Sequence, residues 1–209
     1  MTHNSESQSG GRKSSGQEER WSNQPPGQDL EEVVSRASKG DREALVALYD
    51  RYAQRVFRYA LVSLRNFSDA EDVTSEVFVG VLKNIGKFDW RGEGSFEAWI
   101  FRIAHNVVST ELRRKARHPV ELFERSEELP AESSPSPEDS LLSNGSLGEL
   151  WGRVARLPRT QRETLSLRFI AGLSAEEVGR VLGKSAGAVR VLQHRALAAL
   201  KREPRDLHV

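Results

Sequence analysis

Arg190, His194 and Arg195 lie in a segment, Lys184 to Arg202, that carries five lysine or arginine side chains and no aspartate or glutamate. Arginine presents a planar fork of donors that matches the paired acceptors of guanine, and any cation in such a run can meet a phosphate. Ala186, Gly187 and Ala188 open the segment, so its first turn is slim enough to enter a major groove. Ser185 stands before them as an N-cap, and Val191 is placed to touch a thymine methyl or to pack inside. The chemistry on offer is recognition of a duplex, not the making or breaking of bonds.

A second basic run spans Arg102 to Arg117, with five basic residues against one acid. It contains Arg102, His105, Asn106, Arg113 and Arg114, and a basic helix end of this kind suits a phosphate backbone. Just before it, "KFDWRGEGSFEAW" alternates aromatic residues with Lys87 and Arg91 beside two glycines. Unpaired bases need stacking platforms next to cations. Phe96 and Trp99 continue a helical apolar stripe and are assigned to the core. Phe88 and Trp90 stay open between a hydrophobic lid and a base contact, and His105 between a surface histidine and a strand contact.

Other chemistries find no support. The histidines, at positions 3, 105, 118, 194 and 208, are scattered and show no metal-ligand spacing. No phosphate-binding glycine loop or nucleophile elbow occurs, so no catalytic residue, metal or cofactor is expected. The chain has no cysteine, which excludes disulfides and thiolate sites. Its net charge is only +1, so the signal for a polyanion is local. No apolar run approaches the ~20 residues of a membrane span, and the N-terminus lacks the apolar core of a signal peptide. A cytoplasmic protein without membrane insertion is expected.

The elements that must position these residues read as helices throughout. "REALVALYDRYAQRVFRYALVSL" places Leu45, Leu48, Tyr49, Tyr52, Val56 and Ala60 at three-to-four spacing. "DAEDVTSEVFVGVLKNI" repeats the pattern with Val73, Val77, Phe78, Val81, Leu82 and Ile85, with Ser68 as the expected N-cap. "SFEAWIFRIAHNVVSTELRRKAR" does so with Phe96, Trp99, Ile100, Ile103, Val107 and Val108, with Ser95 placed to cap it. Facing amphipathic helices of this kind make a small bundle.

Further along, Gly172 is a plausible helix C-cap. Ser174 and Glu177 form a capping box before Val178, Val181 and Leu182, and Gly183 permits a sharp turn. The following helix buries Val189, Leu192, Ala196 and Leu200, which completes helix-turn-helix spacing. The fold class is therefore all-α, with no segment reading as a strand. Residues 1–28 are expected to be a disordered tail, 29–117 a helical domain, 118–146 an acidic Pro/Ser linker, and 147–209 the helix-turn-helix domain. Between His118 and Leu150 eight acids face one arginine.

Three stretches together resemble bacterial RNA polymerase sigma factors of the sigma-70 family, extracytoplasmic-function class. They are "DAEDVTSEVFVGVLKNI", "FEAWIFRIAHNVVSTELRRKAR" and "LPRTQRETLSLRFIAGLSAEEVGRVLGKSAGAVRVLQHRALAALKR". The likeness covers about residues 40–117 and 147–203, with two motif sets in the right order. It implies that the first domain is region 2-like, binding core polymerase and melting the −10 element, and that the second is region 4-like, reading the −35 element. By that resemblance Asp69, Glu71, Asp72, Glu76 and Phe78 contact core polymerase. Trp90, Arg91, Arg102, His105, Asn106, Arg113 and Arg114 meet the melted strand, where an unstacked base is captured in a pocket. Ser185, Arg190, Val191, His194 and Arg195 meet the −35 duplex. The implied partners are the polymerase core, through the clamp of its large subunit and the flap, promoter DNA, and an anti-sigma factor. Val191 and His194 depart from the small polar and aromatic residues frequent at those positions in relatives.

The linker of about 29 residues, drawn out, spans the roughly 35–60 Å left between two small domains on elements ~85 Å apart. Its charge raises the expectation that it enters a basic polymerase channel, against the plainer reading of a solvated tether. The rival of a different kind is a free-standing helix-turn-helix regulator. That protein would bind a palindrome as a dimer without polymerase and would not need the upstream block.

Overall fold

The computed structural model describes residues 29–117 and 152–202. The expected N-terminal tail and acidic linker lie outside the described residues. Within them every regular element is helical, and no strand is present.

The N-terminal block has four helices, α1 (Leu30–Ser38), α2 (Arg42–Leu64), α3 (Phe67–Asn84) and α4 (Ser95–Arg117), with a 3₁₀ turn at Ile85–Lys87. Side chains start three of them. Asp29 accepts from the backbone N–H of Glu31, Asp41 from those of Glu43 and Ala44, and Asn66 from that of Asp69. The cap of α3 is thus Asn66, not Ser68, which lies inside the helix. Arg65 makes this possible by taking a left-handed conformation, φ 56°, that ends α2 and turns the chain within two residues. Ser95 does not cap α4 either. It is buried, and its hydroxyl accepts from the backbone N–H of Arg91, tying the preceding loop to the helix.

The bundle buries Leu48, Tyr52, Val56 and Tyr59 of α2 against Val73, Val77 and Val81 of α3 and Phe96, Ile100, Phe101 and Val108 of α4. These are the stripes that the spacing predicts, with two exceptions. Tyr49 and Leu82 are 51% and 57% exposed. Each lies beside its buried stripe, Tyr49 with its ring against Phe78.

The C-terminal block begins with a short helical segment, residues 152–156. It continues as α5 (Arg159–Leu165), a π-helical turn (Ser166–Ile170), α6 (Ala175–Leu182) and α7 (Ala186–Arg202). The π turn widens the backbone, so that Ala171 N–H donates to Ser166 C=O and Leu173 N–H to Leu167 C=O. Gly172, at φ 72°, then reverses the chain, as its cap role requires. Leu157 and Leu165 pack on Ala196 of α7.

The two blocks do not stand apart. Leu167, Ala171, Leu173, Val178 and Val181 belong to the same continuous core as the N-terminal helices, and α6 lies along α4. Across the described residues the two blocks share one apolar core, while the expected tether between them lies outside the described residues.

Gly179, inside α6, has a specific steric reason. A Cβ there would lie 2.5 Å from the backbone carbonyl oxygen of Lys184, in the turn between α6 and α7. Backbone cannot yield as a flexible side chain can. Gly179→Ala is therefore expected to cost about 1–3 kcal/mol through forced displacement of the turn. Thermal unfolding of the variant checks this, and an unchanged midpoint would refute the close approach.

Candidate nucleic-acid interface

The helix-turn-helix forms as its local signals require. The Ser174 hydroxyl accepts from Glu177 N–H, while the Glu177 carboxylate accepts from Ser174 N–H at 2.6 Å. Gly183 closes α6 at φ 65°, and the Ser185 hydroxyl accepts from Ala188 N–H at 3.2 Å. Val189 and Ala196 point into the core, which leaves Arg190, Val191, His194 and Arg195 exposed on α7. Arg190 and His194, four residues apart, share one face. Val191 is 49% exposed, so it reaches the surface and not the interior.

Two further side chains set this face. The Arg190 guanidinium pairs with Glu176 of α6 at 2.5 Å, with both partners solvent-exposed. Solvent beside that pair screens it, so its worth for folding is small. Its effect is to hold a long side chain in one direction. Arg168, in the π turn, donates to the amide oxygen of Gln193 at 2.9 Å. That leaves the Gln193 amide nitrogen pointing the other way. Sequence reasoning passed over Glu176 and Gln193 because nothing local marks a side chain that acts through another helix.

On α4, Arg102, Asn106 and Arg113 are exposed and recur at i, i+4 and i+11, which makes one polar stripe. Arg113 folds back on its own helix, donating to Ser109 C=O at 3.1 Å and Thr110 Oγ1 at 3.3 Å. Arg114 pairs with Glu111 at 2.8 Å. The loop before α4 holds Arg91 exposed beside Asp89, while Trp90 is half-buried with its ring against Phe88. Phe88 also meets Phe96 edge-on and lies tilted against Trp99, so this aromatic pair covers the core with Trp90 at its rim.

His105 leaves the stripe. It is half-buried, with Nδ1 3.2 Å from the Tyr59 hydroxyl, and faces Arg159 and Glu163 of α5. Loss of water lowers its pKa, Arg159 pushes the same way, and Glu163 opposes them. Neutral imidazole is thus the favoured form here. Burial likewise raises the Tyr59 phenol far above its ordinary value.

The acidic α3 residues divide. Glu71, Asp72 and Glu76 are exposed. Asp69 is buried in an ion pair with Lys115 of α4, and Phe78 is 9% exposed with its ring 4.7 Å from Tyr49. Of the five residues that the resemblance assigns to the polymerase contact, Asp69 and Phe78 are thus buried, and the other three are exposed. Val46 and Tyr49 of α2 and Val79 and Leu82 of α3 are exposed apolar side chains on the same pair of packed helices. Among the described residues no cluster of ligands could hold a metal ion, and no helix is long and apolar enough to cross a membrane.

Comparison with known proteins gives the arrangement a context. The Sigma-70 region 2 family model matches residues 48–118, and the Sigma-70 region 4 model matches residues 154–202. The chain is 41% identical over 172 residues to the ECF RNA polymerase sigma factor BldN of Streptomyces coelicolor, an alignment covering 82% of this chain and 64% of that protein. It is 38% identical over 176 residues to the ECF RNA polymerase sigma factor ShbA of Streptomyces griseus, covering 81% of this chain and 92% of that one. Among solved structures, CnrH in complex with the cytosolic domain of CnrY aligns with a TM-score of 0.62 at 25% identity, over 83% of this chain and 96% of that chain. RpoE of Bartonella quintana, in complex with the anti-sigma factor NepR, aligns at 0.55 and 19% identity over 73% and 91%, a likeness of fold alone.

Proposed function

The chain belongs to the extracytoplasmic-function class of sigma-70 family RNA polymerase sigma factors, and from that premise we propose how its surfaces divide the work of starting transcription. The exposed apolar side chains of Val46, Tyr49, Val79 and Leu82, with the acids Glu71, Asp72 and Glu76, dock on the clamp of the polymerase large subunit. The loop bearing Trp90 and Arg91, with the α4 stripe of Arg102, Asn106 and Arg113, takes the melted −10 strand. The exposed side of α7 reads the −35 duplex through Arg190, Val191, His194 and Arg195, and the C-terminal module meets the polymerase flap. The protein acts as a cytoplasmic, non-enzymatic initiation factor. CnrH was solved with a protein partner bound, and by that likeness an anti-sigma factor holds this chain in check. With no cysteine, the chain has no thiol to sense an oxidant itself, so its signal enters through such a partner.

The observation that carries this reading is the presence, in one chain, of a helix-turn-helix with an outward basic face and a second basic stripe beside an aromatic-rimmed loop. A free-standing regulator needs only the first. Duplex binding with and without core polymerase separates the two: weak binding alone and specific initiation with core support the sigma reading. Transcription from a genomic fragment library with mapped 5′ ends then names the promoters.

Leu82→Asp tests the docking face directly. Leu82 is exposed, so the substitution should leave thermal stability nearly unchanged. A charge placed in a desolvated apolar contact should weaken association with core by roughly tenfold or more. Undiminished association would move the docking surface elsewhere.

A further inference from the structure

Five cations lie between Lys184 and Arg202, and they are not alike. Among the described residues Lys184, Arg195, Lys201 and Arg202 form no ion pair, whereas Arg190 holds a carboxylate. The partner is Glu176, 14 residues earlier on α6, and Arg190 Nη2 donates to its Oε1 at 2.5 Å. The two side chains are 63% and 57% exposed, so the pair stands at the surface.

The framework beneath the pair is fixed. Ala175 and Val178 of α6 and Val189 of α7 are buried in the shared core, which sets where Glu176 and Arg190 emerge. Across the turn, Lys184 N–H donates to Gly179 C=O at 2.9 Å. Arg168 of the π turn donates to Leu173 C=O and to Gln193 Oε1, so it ties the approach to α6 to α7. The Glu176 carboxylate is held below its ordinary pKa, first by a hydrogen bond from its own backbone N–H, then by Arg190 and Arg168. It is charged at neutral pH.

An ion pair this exposed contributes little to folding. Its place on the reading face points to another use. Phosphates are present at every sequence, so the four unpaired cations supply affinity without choice. A fifth free cation would add to that affinity alone. Glu176 opposes this in two ways. It occupies part of the Arg190 guanidinium, and its charge repels the phosphates that Arg190 would otherwise approach. Because it engages Arg190 at one nitrogen only, a two-donor edge of the guanidinium stays complete for the paired acceptors of guanine.

We propose that Glu176 is a positioning and specificity-determining residue of the −35 reading helix, which holds Arg190 for a base edge and keeps it from indiscriminate phosphate contact. This rests on the reading of α7 as the −35 helix and deepens it. Glu176 touches no base in this role; it acts through Arg190.

Glu176→Gln keeps the side-chain length and removes the charge. Holoenzyme assembled from the full chain and core polymerase is bound to two probes. One is a promoter duplex, chosen from the mapped 5′ ends, with its −35 element randomised; the other is a duplex of scrambled sequence. Affinity for the scrambled duplex should rise about three- to fivefold, the scale of one exposed ion pair. Its salt slope should steepen by about one, as Arg190 gains a phosphate. Sequences recovered from the randomised pool should lose preference at the base that Arg190 reads and keep it elsewhere. The thermal midpoint should not move, which separates this role from a structural one. In an Arg190→Ala background the change in salt slope should vanish, because the effect passes through that side chain. An unmoved affinity and slope for the scrambled duplex overturns the proposal, as does a slope change that persists without Arg190. If Arg190→Ala itself relaxes no base, the reading of α7 falls and the proposal with it. If Arg190→Ala does so while Glu176→Gln changes nothing, the proposal alone falls.

Discussion

Phe101→Ala is expected to lower the unfolding free energy by about 3–5 kcal/mol, the range for emptying a fully buried aromatic site. Phe101 has no solvent exposure, and its ring meets Tyr59 edge-on with centroids 6.0 Å apart. Its other face supports Arg55. The side chain thus lies where α2, α4 and the C-terminal block meet, in the shared core. Removal would cost the transfer energy of the ring, the cavity it leaves, and the platform that directs Arg55 to Ala171. For a chain of this size the midpoint should fall by roughly 6–20 °C. Denaturant unfolding checks the figure, with Leu82→Ala as the surface comparison expected within about 0.5 kcal/mol of the parent. A loss below about 1 kcal/mol for Phe101→Ala would mean that the seam is not packed as described.

The other large effect falls on function and leaves folding alone. Arg190→Ala should reduce promoter use by core polymerase about tenfold to a hundredfold, since a two-pronged arginine contact to a base contributes roughly 1–3 kcal/mol of discrimination. Stability should hardly change, because its partner Glu176 is also solvent-exposed and an exposed pair is weakly coupled. Abortive and run-off transcription at fixed salt measures the loss. The salt slope then assigns the contact: a base contact relaxes specificity at one position, whereas a phosphate contact weakens all sequences and lowers the slope by about one. Arg195→Ala provides the comparison from the neighbouring surface of α7. If neither substitution weakens initiation, α7 is not the reading helix.

Much of the helix-turn-helix is legible in the amino-acid sequence. Its capping box, turn glycine and apolar spacing are all interactions within about ten residues, and short-range signals survive in a linear string. The basic stripe of α4 was legible for the same reason, since i, i+4 periodicity is written along one helix. Caps were less secure. Ser68 and Ser95 are chemically suitable, but Asn66 was selected by the left-handed Arg65 before it, a backbone state that composition does not announce.

Three amphipathic helices, a helix-turn-helix and two basic faces follow from the order of residues alone, because each depends on neighbours close along the chain. Which apolar stripe meets which is decided only when the chain folds. An apolar face is content against any complementary face, so nothing in the string foretold that α6 would lie along α4. Tertiary packing likewise turned Asp69 of α3 inward to Lys115 of α4, set His105 beside Arg159 and Glu163 of α5, and gave Arg55 a carbonyl 116 residues away to cap.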